Sequence, residues 1–285
     1  MANTRDLRRR IRSVKNTEQL TRAMKMVAAA RLRRAQEQIL AARPYAHAMR
    51  DVLARLAART DASQHPLLAE RGDEHIELLV VTGDRGLCGS FNAHIIREAV
   101  NFLETHADRD VALRMIGRRG REFFARRSWP IRESYTDVFR DFGFDHVRPI
   151  GDDLIGKFVG SELDAVYMVY NEFKSAIQQQ VVVEKLLPLP RIAPRAEEGD
   201  EDYLFEPEPA QLLHELLPRH VNTQIWAALL ESNAAENGAR MAAMDAATKN
   251  AGELIEKLTL QMNRIRQAAI TREIIEVVSG ADALA

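Results

Sequence analysis

Residues Thr82–Asn92 read TGDRGLCGSFN, and they gather most of the residue types from which this 285-residue chain could assemble chemistry: three glycines, one cysteine, a serine and an amide. Glycines placed after a strand and before a helix let backbone N–H groups cradle a phosphate at the helix N-terminus. The spacing of Gly83, Gly86 and Gly89 is GxxGxxG. That is neither the dinucleotide pattern GxGxxG nor the P-loop, and no lysine follows to neutralise phosphate. The segment therefore reads as a tight strand-to-helix turn with Asn92 as the cap of the next helix. Cys88 has no flanking histidine to take its proton, and Ser90 lacks the nucleophile elbow. The eight histidines are scattered, with neither HxxxH nor HExxH spacing, so no metal site is expected. Paired carboxylates fall mainly in one acidic segment with no apolar pocket to raise a pKa. No catalytic residue and no cofactor site is expected.

Charge is balanced in total, forty Lys and Arg against forty-one Asp and Glu, yet it is unevenly placed. Residues 1–59 hold fifteen basic and four acidic residues, while residues 196–215 hold eight acids and no Lys or Arg. Such asymmetry points to a partner for the basic segment. Arg8-Arg9-Arg10 and Arg31-Leu32-Arg33-Arg34 could track nucleic-acid phosphates. The segment carries one aromatic, Tyr45, and no nucleic-acid motif, which favours acidic protein partners. A single cysteine excludes an intramolecular disulfide, and no apolar run reaches the length of a membrane-spanning helix.

The elements that must position these residues are dominated by two helices. Alternate steps of four and three from Leu7 reach Ile11, Val14, Glu18, Thr21, Lys25, Ala28, Leu32, Ala35, Ile39, Ala42, Ala46, Met49, Leu53 and Leu56. Twelve of these fifteen positions are apolar, which is a heptad seam. The exceptions, Glu18, Thr21 and Lys25, are consecutive, and the apolar stripe is expected to move there to Leu20, Met24 and Val27. Pro44 should kink or restart this helix. A second helical stretch runs from about Pro209 to Ser279, opened by Leu213, Leu217, Val221, Ile225 and Ala228 and continued by Leu254, Leu258, Met262, Ile265 and Ala269. Ten alanines between Ala227 and Ala251 allow close axes, with Ala242 and Ala246 as candidate seam positions. Gly238 and Gly252 each cost about 1 kcal/mol relative to Ala, so long-range packing must hold the helix. At 1.5 Å per residue the two helices extend about 80 and 105 Å, against roughly 50 Å for a globule of this size. They must break or protrude, and an antiparallel coiled coil follows if the chain turns back between them.

The middle of the chain alternates strands and helices. Strands are expected at His75–Thr82, Val111–Gly117, Asp164–Tyr170 and Gln180–Leu186, with helices at Ala93–His106, Arg118–Arg127 and Asp152–Ser161. The fold class is α/β with long helices: an antiparallel coiled coil of the N- and C-terminal helices plus a small Rossmann-like α/β domain. The divisions are 1–59, 72–190, an acidic loop at 191–208, and 209–285.

Three blocks carry a resemblance: IRSVKNTEQLTRAMKMVAAARLRRAQ (Ile11–Gln36), TGDRGLCGSFN, and ARMAAMDAATKNAGELI with LQMNRIRQAAITREIIEVVSGA within Ala239–Ala281. In order and position they resemble the gamma subunit of F-type ATP synthases, over essentially the whole chain. The resemblance implies a rotor shaft without an active site of its own, turning inside a ring of three alpha and three beta subunits. Its foot would rest on the membrane c-ring beside the epsilon subunit. Arg266 and Gln267 match positions contacting a beta-subunit catch loop, and Arg240, Thr271 and Glu273 match neighbouring polar contacts. Met24 and Lys25 match the position facing the beta subunits' acidic lever, Tyr203 and Glu206 match foot positions near the c-ring, and Val277–Ala285 matches a tip in a hydrophobic sleeve. The paired cysteines of chloroplast gamma chains and a transit peptide are lacking, so the implied location is the cytoplasmic side of a bacterial inner membrane, peripheral to it. An enzyme using the α/β domain and a nucleic-acid-binding coiled coil are the competing classes.

Overall fold

The computed structural model describes residues 4–59, 65–139, 143–175, 178–190 and 205–282, with side chains described as far as Ser279. Two compact units are present, one of residues 1–28 with 240–285 and one of residues 29–239. Both long helices contribute to both units: α1 spans Thr4–Arg59 and α5 spans Pro209–Asp282. Each is unbroken, α1 through Pro44 and α5 through Pro218, so Pro44 does not restart the helix. Pro44 is exposed, and Leu40, whose carbonyl loses its helical partner there, is 60% exposed. Water can satisfy that carbonyl, which lowers the penalty of the proline.

In the smaller unit α1 and α5 run antiparallel. Thr21 Oγ1 lies 2.8 Å from Thr248 Oγ1, and Lys25 Nζ donates to Asp245 Oδ1 at 2.6 Å. Four residues forward along α1 thus correspond to three back along α5. None of the fifteen positions generated by alternate steps from Leu7 is exposed, the three polar ones included. The stripe therefore does not move aside: Leu20 and Val27 are 60% and 54% exposed, whereas Thr21 is 8% exposed. Polar residues hold the seam because each finds a partner across or along it, a requirement for burying a hydroxyl or ammonium group. The alanine zone also differs from expectation. Ala28 and Ala251 are buried, while Ala242 and Ala246 both face solvent. Ile255 rather than Leu254 continues the half-buried face, Leu254 being exposed, and Ala269 is exposed as well.

The larger unit holds a five-stranded sheet: β1 His75–Val81, β2 Asp110–Ile116, β3 Ile131–Tyr135, β4 Ala165–Phe173 and β5 Gln179–Leu187. The order is β3-β2-β1-β4-β5, with β5 antiparallel and the rest parallel. Helices α2 (Phe91–Thr105), α3 (Arg118–Phe124) and α4 (Arg148–Val159) complete the layers. Parallel pairing needs the long crossovers these helices provide, whereas the short turn after β4 leaves only antiparallel pairing for β5. Sequence periodicity missed β3. Its residues IRESY alternate half-buried and exposed at the sheet edge, without the apolar run that marks the other strands. One sheet face buries Leu78, Val80, Leu113 and Met115 with Phe91, Ile95 and Phe124. The opposite face buries Leu79, Val81 and Ile116 with α4 and with segments of both long helices. Where α4 meets α5 the chain requires Gly151, since a Cβ there would lie 1.7 Å from Asn222 Oδ1.

Helix packing in the smaller unit makes a checkable distinction. Ala28→Leu should lower thermal stability by about 1–3 kcal/mol through overpacking, and Ala242→Leu and Ala246→Leu should leave it within about 0.5 kcal/mol, as surface changes do. Thermal melts of the three variants decide it, and equal losses in all three would contradict the observed seam.

Candidate functional site

The glycine loop is closed on itself. Gly83 N donates to Asn92 Oδ1 at 2.9 Å, and Asn92 Nδ2 donates to Arg85 O at 3.3 Å and toward Cys88 Sγ at 3.2 Å. Asn92 is thus a loop clasp. It does not cap the helix: Ser90 occupies the cap position of α2, without a side-chain bond, and Asn92 already lies within the first turn. Asp84 Oδ1 accepts from the backbone N–H of Arg118 and of Asp137, tying the loop to the ends of β2 and β3.

In a sheet of this order a ligand crevice opens where the crossovers diverge, between the C-terminal ends of β1 and β4. Here α5 occupies that place. A Cβ on Gly83 would lie 2.6 Å from Glu236 Oε1, so the absent side chain leaves room for that carboxyl. Ala235 joins the core with Val80 and Val169. A phosphate cradle needs outward N–H groups and open space, and the loop offers Gly83 N already bonded and a helix over it.

A buried ionic cluster, which sequence reading missed, lies on the α4 side of the sheet. Arg114 and Glu77 are both 0% exposed, and Arg114 Nε donates to Glu77 Oε1 at 2.5 Å. Arg114 also reaches Glu133 Oε2 at 3.2 Å, Tyr135 OH at 3.1 Å and Asp153. Lys157 Nζ donates to Asp153 at 2.7 Å, and Arg132 stands 3.5 Å from Glu77 Oε2. Burial alone would lower the Arg114 pKa, but the hydrogen bond and charge of Glu77, with Asp153 beside it, hold it above its ordinary value. Burial would raise Asp153, yet bonds from Lys157 and Arg114 outweigh it and its pKa is lowered. Tyr135 is pushed up to about 12, first by burial and then by its bond to Glu133. The available signal was one Glu and one Arg, each central in an apolar strand. Neighbouring strands in register place Leu79 opposite Arg114, two residues from Glu77 on the same pleat.

The residues singled out by resemblance are spread along the chain. Met24, Lys25 and Arg240 are half-buried. Lys25 lies on the seam, bound to Asp245. Arg266, Gln267, Thr271 and Glu273 are exposed on α5, where Thr271 Oγ1 donates back to Gln267 O at 3.0 Å. At the observed register Thr4, the first described residue of α1, is level with about Ile265, so α5 continues past it; every residue from Arg266 to Ser279 is exposed. Of the proposed tip, Val277 and Val278 are 72% and 54% exposed, while Ala283–Ala285 lie outside the described residues. Glu206 is exposed, and Tyr203 lies outside the described residues. Among the described residues no cluster of three or more His, Cys, Asp or Glu could hold a metal ion, and no helix is long and apolar enough to cross a membrane.

Long helices paired antiparallel, and a Rossmann-like sheet whose crevice one of them fills, define a protein with a coiled coil and an α/β domain. Residues 3–284 match the family model described as ATP synthase. The ATP synthase gamma chain of Anaeromyxobacter dehalogenans (strain 2CP-C) is 49% identical over 289 residues, with 100% of both chains covered. That of Chlorobaculum tepidum is 46% identical over 290 residues, covering 100% of this chain and 99% of the relative. The chain belongs to the ATP synthase gamma-chain family. Its fold is shared with a chain of the Euglena gracilis mitochondrial ATP synthase, OSCP/F1/c-ring in rotational state 3, at a TM-score of 0.67 and 18% identity, covering 99% of this chain and 94% of that one. A chain of the Tetrahymena thermophila mitochondrial ATP synthase central stalk and c-ring is similar at a TM-score of 0.62 and 24% identity, covering 80% and 99%.

Removing one member of the buried cluster should be costly. Arg114→Met removes the guanidinium bonded to the buried Glu77, and urea denaturation should show a loss of about 3–5 kcal/mol, most of it recovered in the double variant Glu77→Leu/Arg114→Met. A small loss in the single variant would contradict the assigned pairing. The pH dependence has a definite sign. Because the folded Asp153 pKa is depressed, its contribution is present above the unfolded value of about 3.9 and is lost as pH falls through the folded value. Asp153→Asn should therefore flatten the acid limb of a stability–pH curve and leave the alkaline limb unchanged.

Proposed function

We propose that this chain is the rotary central stalk of a proton-translocating ATP synthase, transmitting torque between the membrane c-ring and a head of three alpha and three beta subunits. The observation that carries the proposal is the end of α5: a helix continuing beyond its coiled-coil partner with Ile270, Ile274, Ile275, Val277 and Val278 all 48% exposed or more. Contiguous exposed apolar surface of this kind marks an interaction site, and a hydrophobic sleeve in the head is the partner that fits it. Catalysis would then reside in the beta subunits, and this chain would bind no cofactor and contribute no catalytic residue. The closed glycine loop, with α5 over the sheet crevice, supports that reading.

Arg266 and Gln267 are the proposed contacts with the beta-subunit catch loop, Arg240, Thr271 and Glu273 the neighbouring polar contacts, and Met24 and Lys25 the position facing the beta subunits' acidic lever. Lys25 would present the beta subunits' acidic lever with an ammonium already shared with Asp245. Glu206 and Tyr203 are the proposed c-ring contacts, beside an epsilon subunit. The site of action would be the cytoplasmic face of a bacterial inner membrane, reached only through the complex. An asymmetric shaft turning in a ring of sites would bias each between open and closed states in turn, and the coupling would be reciprocal.

Co-expression with alpha and beta subunits tests this. Sizing should give one complex whose steady Mg-ATP turnover requires this chain. Arg266→Ala and Gln267→Ala, being exposed changes, should lower turnover while assembly persists. Wild-type turnover in both variants would remove the contact assignment, and failure to co-purify with an assembled alpha–beta head would remove the stalk.

A further inference from the structure

We propose that the cleft between α1 and α5 in the larger unit binds a small anionic amphiphile, an aliphatic carboxylate whose chain lies in the cleft and whose head meets the arginines of α1. The cavity has a volume of about 540 Å³, within the range of ligand sites, which pair apolar linings with a few convergent polar groups. Its floor is apolar, built from Ile39, Ala42 and Ala46 of α1 and Trp226, Ala227 and Leu230 of α5. Phe144 closes one side, its ring meeting Trp226 edge-on with centroids 6.0 Å apart. Both rings are thus committed to each other's edges, and the space beside them suits a flexible chain.

Charge selects the head group. Arg43, His47 and Arg50 line the cavity at successive steps of four and three along one face of α1. The one acid in the lining is Glu231. Its Oε2 is buried and has no hydrogen-bond partner, and burial, then the charge of Glu172, raises its pKa against the opposing effects of Lys174 and Arg43. That shift favours the neutral carboxyl, which can donate to a bound carboxylate rather than repel it. Arg50 also faces His220, whose pKa burial and Arg50 both lower, a shift toward the neutral imidazole, which adds no charge. A nucleotide fits less well. Apart from the charged groups, the tyrosine at the rim and His47, the lining hydroxyl is that of Thr223, already donated to Arg219 O at 2.8 Å. Base edges would go unpaired, at the cost of burying them without partners.

The test uses the full chain, with dodecanoate as the probe below its micelle concentration and dodecylamine, dodecanol and ATP as comparison ligands. Calorimetry should show saturable binding of dodecanoate with about one site per chain, and the emission of Trp226 should change in parallel. The double variant Arg43→Gln/Arg50→Gln alters only exposed positions and should weaken dodecanoate by about tenfold or more, or about 1.4 kcal/mol, without changing the melting temperature. Leu230→Phe, which fills the floor, should weaken it by shortening the cavity; if that variant melts early, the arginine variant carries the decision. No saturable binding, equal binding of dodecylamine or dodecanol, or an affinity untouched by the arginine changes would overturn the proposal. Tighter binding of ATP at the same tryptophan would replace the carboxylate by a nucleotide.

Discussion

Leu79, Val81 and Ile116 on one face of the sheet are buried against Leu53 and Leu56 of α1 and Leu217, Val221 and Ile225 of α5, all with 0% exposure. Each such side chain contributes roughly 1.5–3 kcal/mol on leaving water. That shared core makes the sheet and these segments of the two long helices one packed body. Isolated helices carrying internal prolines and glycines would be marginal in water, because propensity alone cannot offset those losses. Here Pro218 and Gly238 fall in the part of α5 that the core covers, where burial outweighs them.

The same core explains why a sheet with the strand order of nucleotide-binding domains need not serve a nucleotide. Fold and function separate at the site itself. Crossing the ends of β1 and β4, α5 places Glu236 against Gly83 and Ala235 among the sheet's own side chains. The space beside Gly83 is taken by the Glu236 carboxyl. Asn92 then satisfies the amide of Gly83 from the first turn of α2. The helix seated in the crevice thereby joins the α/β layer to α5 through their shared core.

Polar groups tune this arrangement without driving it. Thr21 with Thr248 and Lys25 with Asp245 fill seam positions that aliphatic residues could have taken. Such pairs contribute little stability, but they favour one register, because a shift strands each partner. Arg114 plays a comparable part inside the sheet, joining β1, β2, β3 and α4 through one guanidinium. A planar fork with five donors is suited to that, and a lysine at the same place could not reach four partners at once.

The alternation of four and three from Leu7 to Leu56, the apolar strands HIELLVVT and VALRMIG, and the alanine-rich stretch after Ala227 were enough to read two long helices around a small α/β layer. Those features are periodic and local, and burial of one face is all they require. What only the tertiary structure decided was non-local. Whether the seam bends around Glu18, Thr21 and Lys25 depends on what stands opposite, and Thr248 and Asp245 supply partners that no spacing in residues 1–59 could announce. The edge strand β3 has no apolar run of its own and exists because β2 offers it a ladder. Asn92 bonds a residue nine positions back, not the helix it begins. Glu77 and Arg114, thirty-seven residues apart, become a buried pair only when their strands come into register. Sequence determines which faces must be hidden; the packed chain determines what hides them, because the free energy of a polar contact depends on a partner that lies far away along the chain.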